Sequence, residues 1–157
     1  MDIKIEIATI ENLKDIQNLN LMLFEKEQKE YEPTFNLEWT FSEEGTKYFS
    51  DSIKSEKSCA FVAKSEERVI GYLVGSVRKA DSYRTIKDQA ELDNMFVIEE
   101  FRGQKVGKKL VDKFFEWVKD KGVKNITVTA SAKNEKAIDF YRKCGFEDYD
   151  HTLEINF

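Results

Sequence analysis

The chain has 157 residues, of which 41% are hydrophobic and 35% charged, and its 30 acidic and 25 basic residues give a net charge of −5. This length predicts one domain, residues 1–157, whose core is large enough to fold without disulfides or a structural metal. Two cysteines and one histidine cannot form a four-ligand zinc site, and they argue against a histidine-based catalytic triad. The acidic balance argues against nucleic acid as a partner, because nucleic-acid binding depends on basic side chains that neutralise phosphates.

The sequence shows no feature of a secreted or membrane protein. The first residues alternate charged and apolar side chains instead of placing a basic stretch before an apolar one, and the apolar runs are too short to span a bilayer. Without an export signal, the two cysteines are expected to stay reduced. The sequence therefore predicts a cytoplasmic protein that does not bind membranes.

The beginning of the chain predicts one strand and two helices. Residues 3–7 alternate isoleucine with charged residues, which is the pattern of a half-buried strand. Thr9 follows as an N-cap, and the apolar spacing after it predicts a helix that ends before Pro33. Ser42, followed by two glutamates, predicts the start of a second helix.

The middle of the chain predicts three strands. Residues 59–64 and 68–78 are rich in apolar residues and are joined by a short polar turn, as in a hairpin. Gly71 and Gly75 in the second strand indicate a β-bulge or a close backbone approach. A further strand is predicted over residues 90–97.

The last third of the chain predicts alternating helices and strands. Apolar residues at helical spacing predict a helix over 104–121, and a period-2 pattern predicts a strand over 125–130. A short helix over 135–143, closed by Gly145, precedes a final strand over 152–157. The order β-α-α-β-β-β-α-β-α-β, with a hairpin-rich first half and a βαβ unit after it, predicts a mixed α/β sheet.

Residues 91–110 combine a strand, a short loop and the start of an amphipathic helix. Helix N-termini offer unpaired N–H groups and a positive dipole end, and Gly103 and Gly107 allow close approach of a phosphate. The basic residues here are Arg102, Lys105, Lys108 and Lys109. The spacing of the glycines fits neither the phosphate-binding loop of nucleoside triphosphatases nor the glycine-rich motif of dinucleotide-binding proteins. The segment predicts an anion site, although turn chemistry with solvated lysines is the plain alternative.

Two motifs in this half resemble the signatures of the GNAT family of N-acetyltransferases, which use acetyl-CoA to acetylate amines. The phosphate-binding signature places Arg or Gln, then Gly, then Gly or Ala, where this chain has Arg102, Lys105 and Gly107, so Lys105 departs from the family glycine. The second motif matches at Asn134, Ala137, Phe140, Tyr141, Gly145 and Phe146. The resemblance is close over residues 91–146 and implies the GNAT fold, a central mixed sheet flanked by helices.

The resemblance implies acetyl-CoA as cosubstrate and no metal. Its phosphates would lie at Arg102, Gly103, Gln104, Lys105, Val106, Gly107 and Lys108. Asn134 and Ala137 would lie along the pantetheine arm. In the family, a bulge in the preceding strand opens a slot for that arm, so the backbone at Met95, Phe96 and Val97 would face the thioester and bind its oxyanion. The side chains at those three positions fit an ordinary core equally well.

The resemblance also implies the proton-transfer groups. Tyr141 matches the general acid that protonates the departing thiolate, and it would also contact the cofactor; the plain alternative is a core tyrosine. Glu91 matches a glutamate that serves as general base, through water, in histone-acetylating members. Asp93 lies two residues along, on the same side of an ideal strand, and is the second candidate. Either acid could instead lie at the rim of the site.

Acids and aromatic residues alternate between residues 25 and 44. The acids are Glu25, Glu27, Glu30, Glu32, Glu38, Glu43 and Glu44, and the aromatic residues include Tyr31, Phe35, Trp39 and Phe41. Carboxylates and aromatic faces together suit a cation, such as a polyamine, an amino sugar, or a lysine or N-terminal amine of a peptide. A solvated helix face over a buried aromatic core explains the same pattern.

The sequence thus predicts an acetyl-CoA-dependent N-acetyltransferase that works by direct attack in a ternary complex. A CoA-binding sensor or interaction module without turnover is the alternative, and Lys105 is the feature that favours it. The sequence leaves open the amine, an acyl group larger than acetyl, and whether the chain forms a homodimer. Cys59, Cys144 and His151 have the features of packing or surface residues.

Overall fold

A five-stranded sheet in the order β1-β2-β3-β4-β5 forms the centre of the molecule. The structure is a computed structural model, and it describes residues 2–157. The strands are β1 (Ile3–Ile7), β2 (Ser58–Ser65), β3 (Arg68–Lys79), β4 (Asp88–Val97) and β5 (Ile126–Val128). The helices are α1 (Leu13–Glu30), α2 (Glu43–Lys54), α3 (Val106–Asp120) and α4 (Glu135–Lys143). The first four strands pair antiparallel, and β5 pairs parallel to β4, so the predicted mixed sheet is confirmed.

Helices cover both faces of this sheet because successive side chains of a strand point to opposite sides. On one face, the Tyr72 hydroxyl accepts a hydrogen bond from Asn20 of α1, and the Tyr72 ring contacts Phe49 of α2. On the other face, a Cβ at Gly75 would lie 2.3 Å from the Phe114 ring of α3. The glycine therefore permits the close approach that the sequence indicated.

Polar side chains cap the starts of α2 and α4, and the cap at Ser42 is the predicted one. The Ser42 hydroxyl accepts a hydrogen bond from the Gly45 amide at the start of α2, and the Asn134 side chain accepts one from the Ala137 amide at the start of α4, both at 3.1 Å. Thr9 is the N-cap of the first helical segment, as predicted, but the first turn, Ile10–Asn12, is a 3-10 turn and the α-helix begins at Leu13. Within residues 2–157, no helix is both long and apolar enough to cross a membrane.

The predicted strand over 152–157 was wrong, and the predicted strand over 125–130 shortens to β5. Residues 147–157 belong to no helix or strand, and every one of them is exposed. The physical reason is that a period-2 pattern does not specify a partner strand, and the chain after α4 is held by side-chain hydrogen bonds instead. Arg142 donates two hydrogen bonds to the Asp148 carboxylate, at 2.9 and 2.7 Å, and Arg84 donates one to the Tyr149 hydroxyl at 2.6 Å. The observed order therefore ends at α4, one strand short of the predicted order.

Candidate active site

A β-bulge in β4 opens the sheet at its centre. In the pairing with β3, Asn94 lies opposite Val74 and Leu92 lies opposite Gly75, so no residue of β3 lies opposite Asp93. On the other side, β4 pairs with β5 only up to Leu92. Beyond that point, the backbone groups of β4 that face β5 have no strand partner among residues 2–157. We call the gap between the two strands beyond Leu92 the slot.

The backbone at Met95, Phe96 and Val97 lies along this slot, where the resemblance placed it. These residues pair with β3 on one side only. The side chains of Phe96 and Val97 are buried and that of Met95 is half-buried, so all three also serve the core. The stretch therefore offers backbone groups to the slot while its side chains pack.

The loop between β4 and α3 turns through two left-handed residues. Gly103 has φ of +77° and Lys105 has φ of 64°, and Lys105 is the N-cap of α3. A left-handed backbone costs a non-glycine residue about 1–2 kcal/mol, which explains the family glycine at this position. Lys105 keeps the glycine-like conformation, and for this reason α3 begins at Val106 and not at Gln104 as predicted.

Gly107 brings α3 close to two other elements of the site. A Cβ at Gly107 would lie 3.1 Å from the Phe140 ring of α4 and 3.5 Å from the Met95 side chain of β4. Since only a hydrogen fits easily there, the first turn of α3 packs directly against both. Its exposed N-terminal end therefore lies beside the slot.

The basic side chains of the loop are partly engaged in the protein itself. The Arg102 side chain donates a hydrogen bond to the Val97 carbonyl at 2.9 Å, and its guanidinium lies 5.1 Å from the centre of the Phe96 ring. Lys108 pairs with Asp112 on α3. Arg102 thus fastens the loop to the end of β4. Gln104 is exposed and its amide reaches the Glu100 carbonyl at 3.4 Å, while Val106 is buried.

Tyr141 lies on α4 with its ring enclosed by other aromatic rings. Phe146 contacts it edge-on at 5.8 Å between ring centroids, and Phe140 contacts it at 5.3 Å. Burial raises the pKa of the Tyr141 phenol, and the neighbouring Cys144 and Glu27 raise it further. The phenol is therefore protonated at neutral pH, as a proton donor must be.

Glu27 of α1 lies close to the first residue of the turn that begins α4, Asn134. Its carboxylate lies 3.4 Å from the Asn134 amide nitrogen, across 107 residues of sequence. Burial raises the pKa of Glu27, against the opposing effects of Lys26 and Asn134. Half-buried Ala137 lies one turn into α4 from Asn134. The structure thus brings together a carboxylate, an amide and the nearby Tyr141 phenol.

Glu27 belongs to the acidic segment of residues 25–44, but no motif in the sequence identifies it as a site residue. A signal was present, because the apolar stripe of α1 runs through Ile16, Leu19 and Leu23, and Glu27 follows at the next helical spacing. A carboxylate on an otherwise apolar face is unusual and points to a partner. The sequence alone did not reveal that this partner is Asn134.

Asp93 accepts hydrogen bonds from two hydroxyl groups. The Tyr48 hydroxyl of α2 donates to one carboxylate oxygen at 2.8 Å, and the Ser76 hydroxyl of β3 donates to the other at 2.9 Å. Burial raises the pKa of Asp93, while Tyr48, Ser76 and Arg78 act in the opposite direction. Asp93 is therefore a partly desolvated carboxylate held by neutral donors.

A chain of hydrogen bonds continues from Tyr48 into the core. The Asn94 amide donates to the Tyr48 hydroxyl at 3.0 Å, and the Tyr72 hydroxyl donates to the Asn94 carbonyl at 2.6 Å. Asn20 donates to Tyr72 at 3.0 Å. Thr40 donates to Asn20 at 2.7 Å. Every donor in this chain points toward Asp93, so each bond polarises the next in favour of a negative charge there.

Glu91 lies in a different environment from Asp93. It is opposite Ser76 in the strand pairing, and it forms an ion pair of 2.8 Å with Arg78. The two candidate bases thus share a face of the sheet, as expected, because Asp93 also contacts Ser76. Glu91 differs because its carboxylate is already bound by a guanidinium.

Aromatic rings connect the two carboxylates Glu27 and Asp93. Trp39 lies 5.5 Å from Tyr48 between ring centroids, and Phe24 lies 5.8 Å from Trp39. We call Phe24, Trp39 and Tyr48 the aromatic row. Most of the other acidic residues between residues 25 and 44 are exposed, as on the solvated face of a helix.

The two cysteines and the histidine have the surroundings of packing or surface residues. Cys59 is buried, and burial raises the pKa of its thiol to about 12. Cys144 is a half-buried free thiol, and His151 is exposed. Within residues 2–157, no three histidine, cysteine or carboxylate side chains are grouped so that they could hold a metal ion.

Comparison with known proteins places the chain among acetyltransferases. The profile of the family described as "Acetyltransferase (GNAT) family" matches residues 20–146. An uncharacterized N-acetyltransferase of Methanocaldococcus jannaschii is 27% identical over 101 residues, which cover 64% of this chain and 44% of that protein. N-alpha-acetyltransferase 30 of Schizosaccharomyces pombe is 29% identical over 90 residues, covering 57% and 58%. The chain therefore spans about half the length of these curated relatives.

A solved structure shows the same fold over the whole chain. The aminoglycoside acetyltransferase AAC(6')-Iy, in complex with the bisubstrate analog CoA-S-monomethyl-acetylneamine, superposes with a TM-score of 0.79. The alignment covers 100% of this chain and 99% of that chain at 17% identity. The predicted GNAT fold is thereby confirmed.

Proposed function

This chain belongs to the GNAT family of acetyltransferases, and we propose that it transfers an acetyl group from acetyl-CoA to a primary amine by direct attack in a ternary complex. One observation carries the proposal. The bulge at Asp93 opens the slot, and the first turn of α3 packs at Gly107 against Met95 of β4 and Phe140 of α4, so the end of α3 lies beside the unpaired backbone of β4. A helix N-terminus suits a pyrophosphate, and unpaired backbone N–H groups suit an oxyanion.

The residues fit a bound acetyl-CoA. The phosphates would contact the amides of the first turn of α3, from Val106 to Lys108, and the ammonium of Lys105. Asn134 and Ala137 would contact the pantetheine arm. Support comes from the left-handed turn at Gly103 and Lys105, which leaves the end of α3 exposed, and from Gly107, which keeps that end beside the slot.

The reaction needs an oxyanion site and two proton transfers. The amine nitrogen attacks the thioester carbonyl carbon, the carbon–nitrogen bond forms, and the β4 backbone at residues 95–97 stabilises the oxyanion. The carbon–sulfur bond then breaks, and Tyr141 donates its proton to the departing thiolate. The proton lost by the amine passes to a carboxylate, directly or through water.

Asp93 is a better base than Glu91 in this arrangement. An alkylammonium has a pKa near 10.4, so the acceptor arrives charged and must lose a proton. The Glu91 carboxylate is bound by Arg78 at 2.8 Å, whereas Asp93 is held by the neutral hydroxyls of Tyr48 and Ser76. A carboxylate without a fixed cation is free to bind the ammonium and accept its proton.

The acceptor is proposed to be a cationic amine that lies along the aromatic row. Glu27 lies at one end of the row and Asp93 at the other, and aromatic faces attract an ammonium between them. Amino sugars, polyamines and peptide amines all have this chemistry. We place the activity in the cytoplasm and in one domain, because both cysteines are free thiols and every part of the site lies on one sheet or on the helices that pack against it.

Thiol release tests the proposal directly. The protein is incubated with acetyl-CoA and a panel of amino sugars, polyamines and peptides, and free CoA is measured together with acetylated product. Turnover with at least one amine is expected. CoA binding without turnover on any amine would favour the sensor module, and absence of CoA binding would refute both. Repeating the assay with propionyl-CoA and longer donors determines the acyl group.

A further inference from the structure

The hydrogen bonds that lead from α1 to Asp93 join hydroxyl and amide groups in alternation. Each hydroxyl has one proton to donate, and each amide accepts on its oxygen and donates from its nitrogen, so the direction of one bond determines the direction of the next. The series ends at the Asp93 carboxylate, which can only accept while it is ionised. We call its other members the hydroxyl–amide chain: Thr40, Asn20, Tyr72, Asn94 and Tyr48.

The first three members of this chain are closed off from water. Thr40, Asn20 and Tyr72 each have a relative exposure of 0%. Asn20 lies on the face of α1 that also carries Ile16 and Leu19, where an apolar side chain is the usual occupant. A buried amide destabilises a protein unless its polar atoms are paired, and Asn20 is paired with two hydroxyl groups. The core thus retains a polar group that packing alone does not require.

Asn20 determines the direction of the hydroxyl–amide chain. Its nitrogen donates to the Tyr72 oxygen at 3.0 Å, so the Tyr72 proton is directed to the Asn94 carbonyl, at 2.6 Å. With its carbonyl occupied, Asn94 presents its nitrogen to the Tyr48 oxygen at 3.0 Å, and the Tyr48 proton is left for Asp93. If the Asn20 amide turned over, every bond would reverse and Tyr48 would donate to Asn94. Asp93 would then lose one of its two hydroxyl donors.

We propose that Asn20 and Tyr72 are positioning residues for the base Asp93, a role that rests on the proposed function. Both are fully buried, so they act on the base only through the groups between them. They hold Asn94 in the orientation that keeps the Tyr48 proton directed at the carboxylate. A proton on the Asp93 oxygen that faces Tyr48 would force Tyr48 to turn its own proton elsewhere, and the paired amides oppose that change. The chain therefore favours the ionised base.

The titratable groups that face Asp93 come from α2, β2 and β3. Burial and the Asp93 charge raise the pKa of Tyr48, so its proton stays in place. Burial raises the pKa of the Cys59 thiol, and the Asp93 charge raises it further, so the thiol stays neutral where Asp93 titrates. Arg78 favours the charged form of Asp93, although it also pairs with Glu91. All of these groups other than Tyr48 are unchanged in the variants below, so a shift in the titration reports on the chain.

Titration of Asp93 followed by NMR tests this role without any turnover. The side-chain carboxyl carbon of Asp93, identified by its absence in Asp93→Asn, gives the midpoint at which the carboxylate ionises. Tyr72→Phe is expected to raise this midpoint by about half a pH unit, because the remaining bonds weaken and Asn94 is free to turn. In a Tyr48→Phe background, the same substitution is expected to have no further effect. No shift with Tyr48 present, or an equal shift in both backgrounds, would overturn the proposal.

Ser52→Ala is the matched control. It also removes a buried hydroxyl, which donates to the Tyr48 carbonyl at 2.8 Å, but this bond lies outside the hydroxyl–amide chain. The midpoint of Asp93 is expected to stay at its wild-type value. If it rises as much as in Tyr72→Phe, loosening of the core explains both results and the positioning role is refuted.

A measurement on the wild-type protein covers the case in which Tyr72→Phe does not fold. The side-chain amide resonances of Asn20 lie four hydrogen bonds from Asp93, and we expect them to move with the same midpoint. The control is Gln17, a buried amide one turn earlier on α1 that donates to the Thr46 hydroxyl at 2.9 Å, outside the chain. Its resonances are expected to stay constant. Asn20 resonances that stay constant as well would overturn the proposal.

Kinetics connects the chain to the reaction. In Tyr72→Phe, the acid limb of the kcat/KM profile is expected to move with the carboxyl midpoint, while the KM for acetyl-CoA is unchanged. Turnover with an unshifted midpoint would refute the positioning role and leave the proposed function intact. A shifted midpoint in a protein that releases no thiol with any amine would refute the proposed function instead.

Discussion

The Tyr48 hydroxyl donates a 2.8 Å hydrogen bond to the Asp93 carboxylate, and so joins α2 to the bulge of β4. The adjacent Asn94 also contacts Tyr48, at 3.0 Å. In a regular strand, two successive side chains point to opposite faces. The unpaired position at Asp93 lets both side chains reach the same hydroxyl. One irregularity thus opens the slot and also positions the carboxylate that we assign as base.

Removing the Tyr48 hydroxyl is expected to make Asp93 harder to ionise. Hydrogen bonding by Tyr48 opposes the effect of burial on the pKa of Asp93, so in Tyr48→Phe that pKa rises further. A carboxylate acts as a base only when it is ionised. As the pH is lowered, the variant is therefore expected to lose activity at a higher pH than the wild type does. The acid limb of the kcat/KM profile is expected to move up by about one pH unit, which corresponds to about 1.4 kcal/mol.

The matched control for this variant is Tyr83→Phe. The Tyr83 hydroxyl also donates to an aspartate, Asp81, at 2.9 Å, but both residues lie on the exposed β3–β4 loop. This variant should leave the pH profile unchanged. An unaltered acid limb in Tyr48→Phe would remove Asp93 from the role of base, and Glu91→Gln would then be the next variant to measure.

Tyr141→Phe is expected to lower kcat by roughly 10²- to 10⁴-fold, the usual contribution of a general acid. The KM for acetyl-CoA should change much less, because the proton is needed in the transition state and not for binding. Steady-state kinetics with the best amine from the panel measures both constants. Calorimetric CoA binding should match wild type, and a kcat equal to wild type would exclude Tyr141 as the acid.

Glu27→Gln is expected to weaken binding of the amine without affecting binding of acetyl-CoA. The substitution keeps the shape and a hydrogen bond to Asn134 but removes the negative charge that attracts an ammonium. We expect kcat/KM for the amine to fall roughly tenfold, as for the loss of one charge-assisted hydrogen bond. The control is Glu25→Gln on the exposed part of α1. Equal effects of the two variants would show that only general charge matters.

Lys105→Gly separates the shape of the phosphate loop from its charge. Glycine adopts the φ of 64° without strain, so the loop is retained and only the ammonium is lost. CoA affinity is expected to fall about two- to fivefold at low salt, as for one exposed charge, and less at high salt. Lys105→Asn, which also tolerates this conformation, should give the same loss. Unchanged affinity in both would show that Lys105 does not contact the phosphates.

Sequence patterns identified most elements of this fold because those elements depend on local rules. The helix α4 has the predicted bounds, since an asparagine cap and a closing glycine are readable from neighbouring residues. Strand alternation likewise identified the first four strands to within two residues at their ends. Residues 152–157 show the limit of such rules. They alternate as a strand does but form none, because alternation is a local pattern and does not specify a partner strand.

The sequence by itself determined the family, and it named residues 102–108 and Tyr141 as site candidates, because each rests on residue types at short spacing. Only the tertiary structure decided which carboxylates meet the slot. Glu27 lies 107 residues from Asn134, and Tyr48 lies 45 residues from Asp93, so no local pattern encodes either contact. The tertiary structure also distinguishes Glu91 from Asp93, because Glu91 forms an ion pair with Arg78. The charge and proton affinity of a carboxylate depend on its surroundings in space, and those surroundings exist only once the chain has folded.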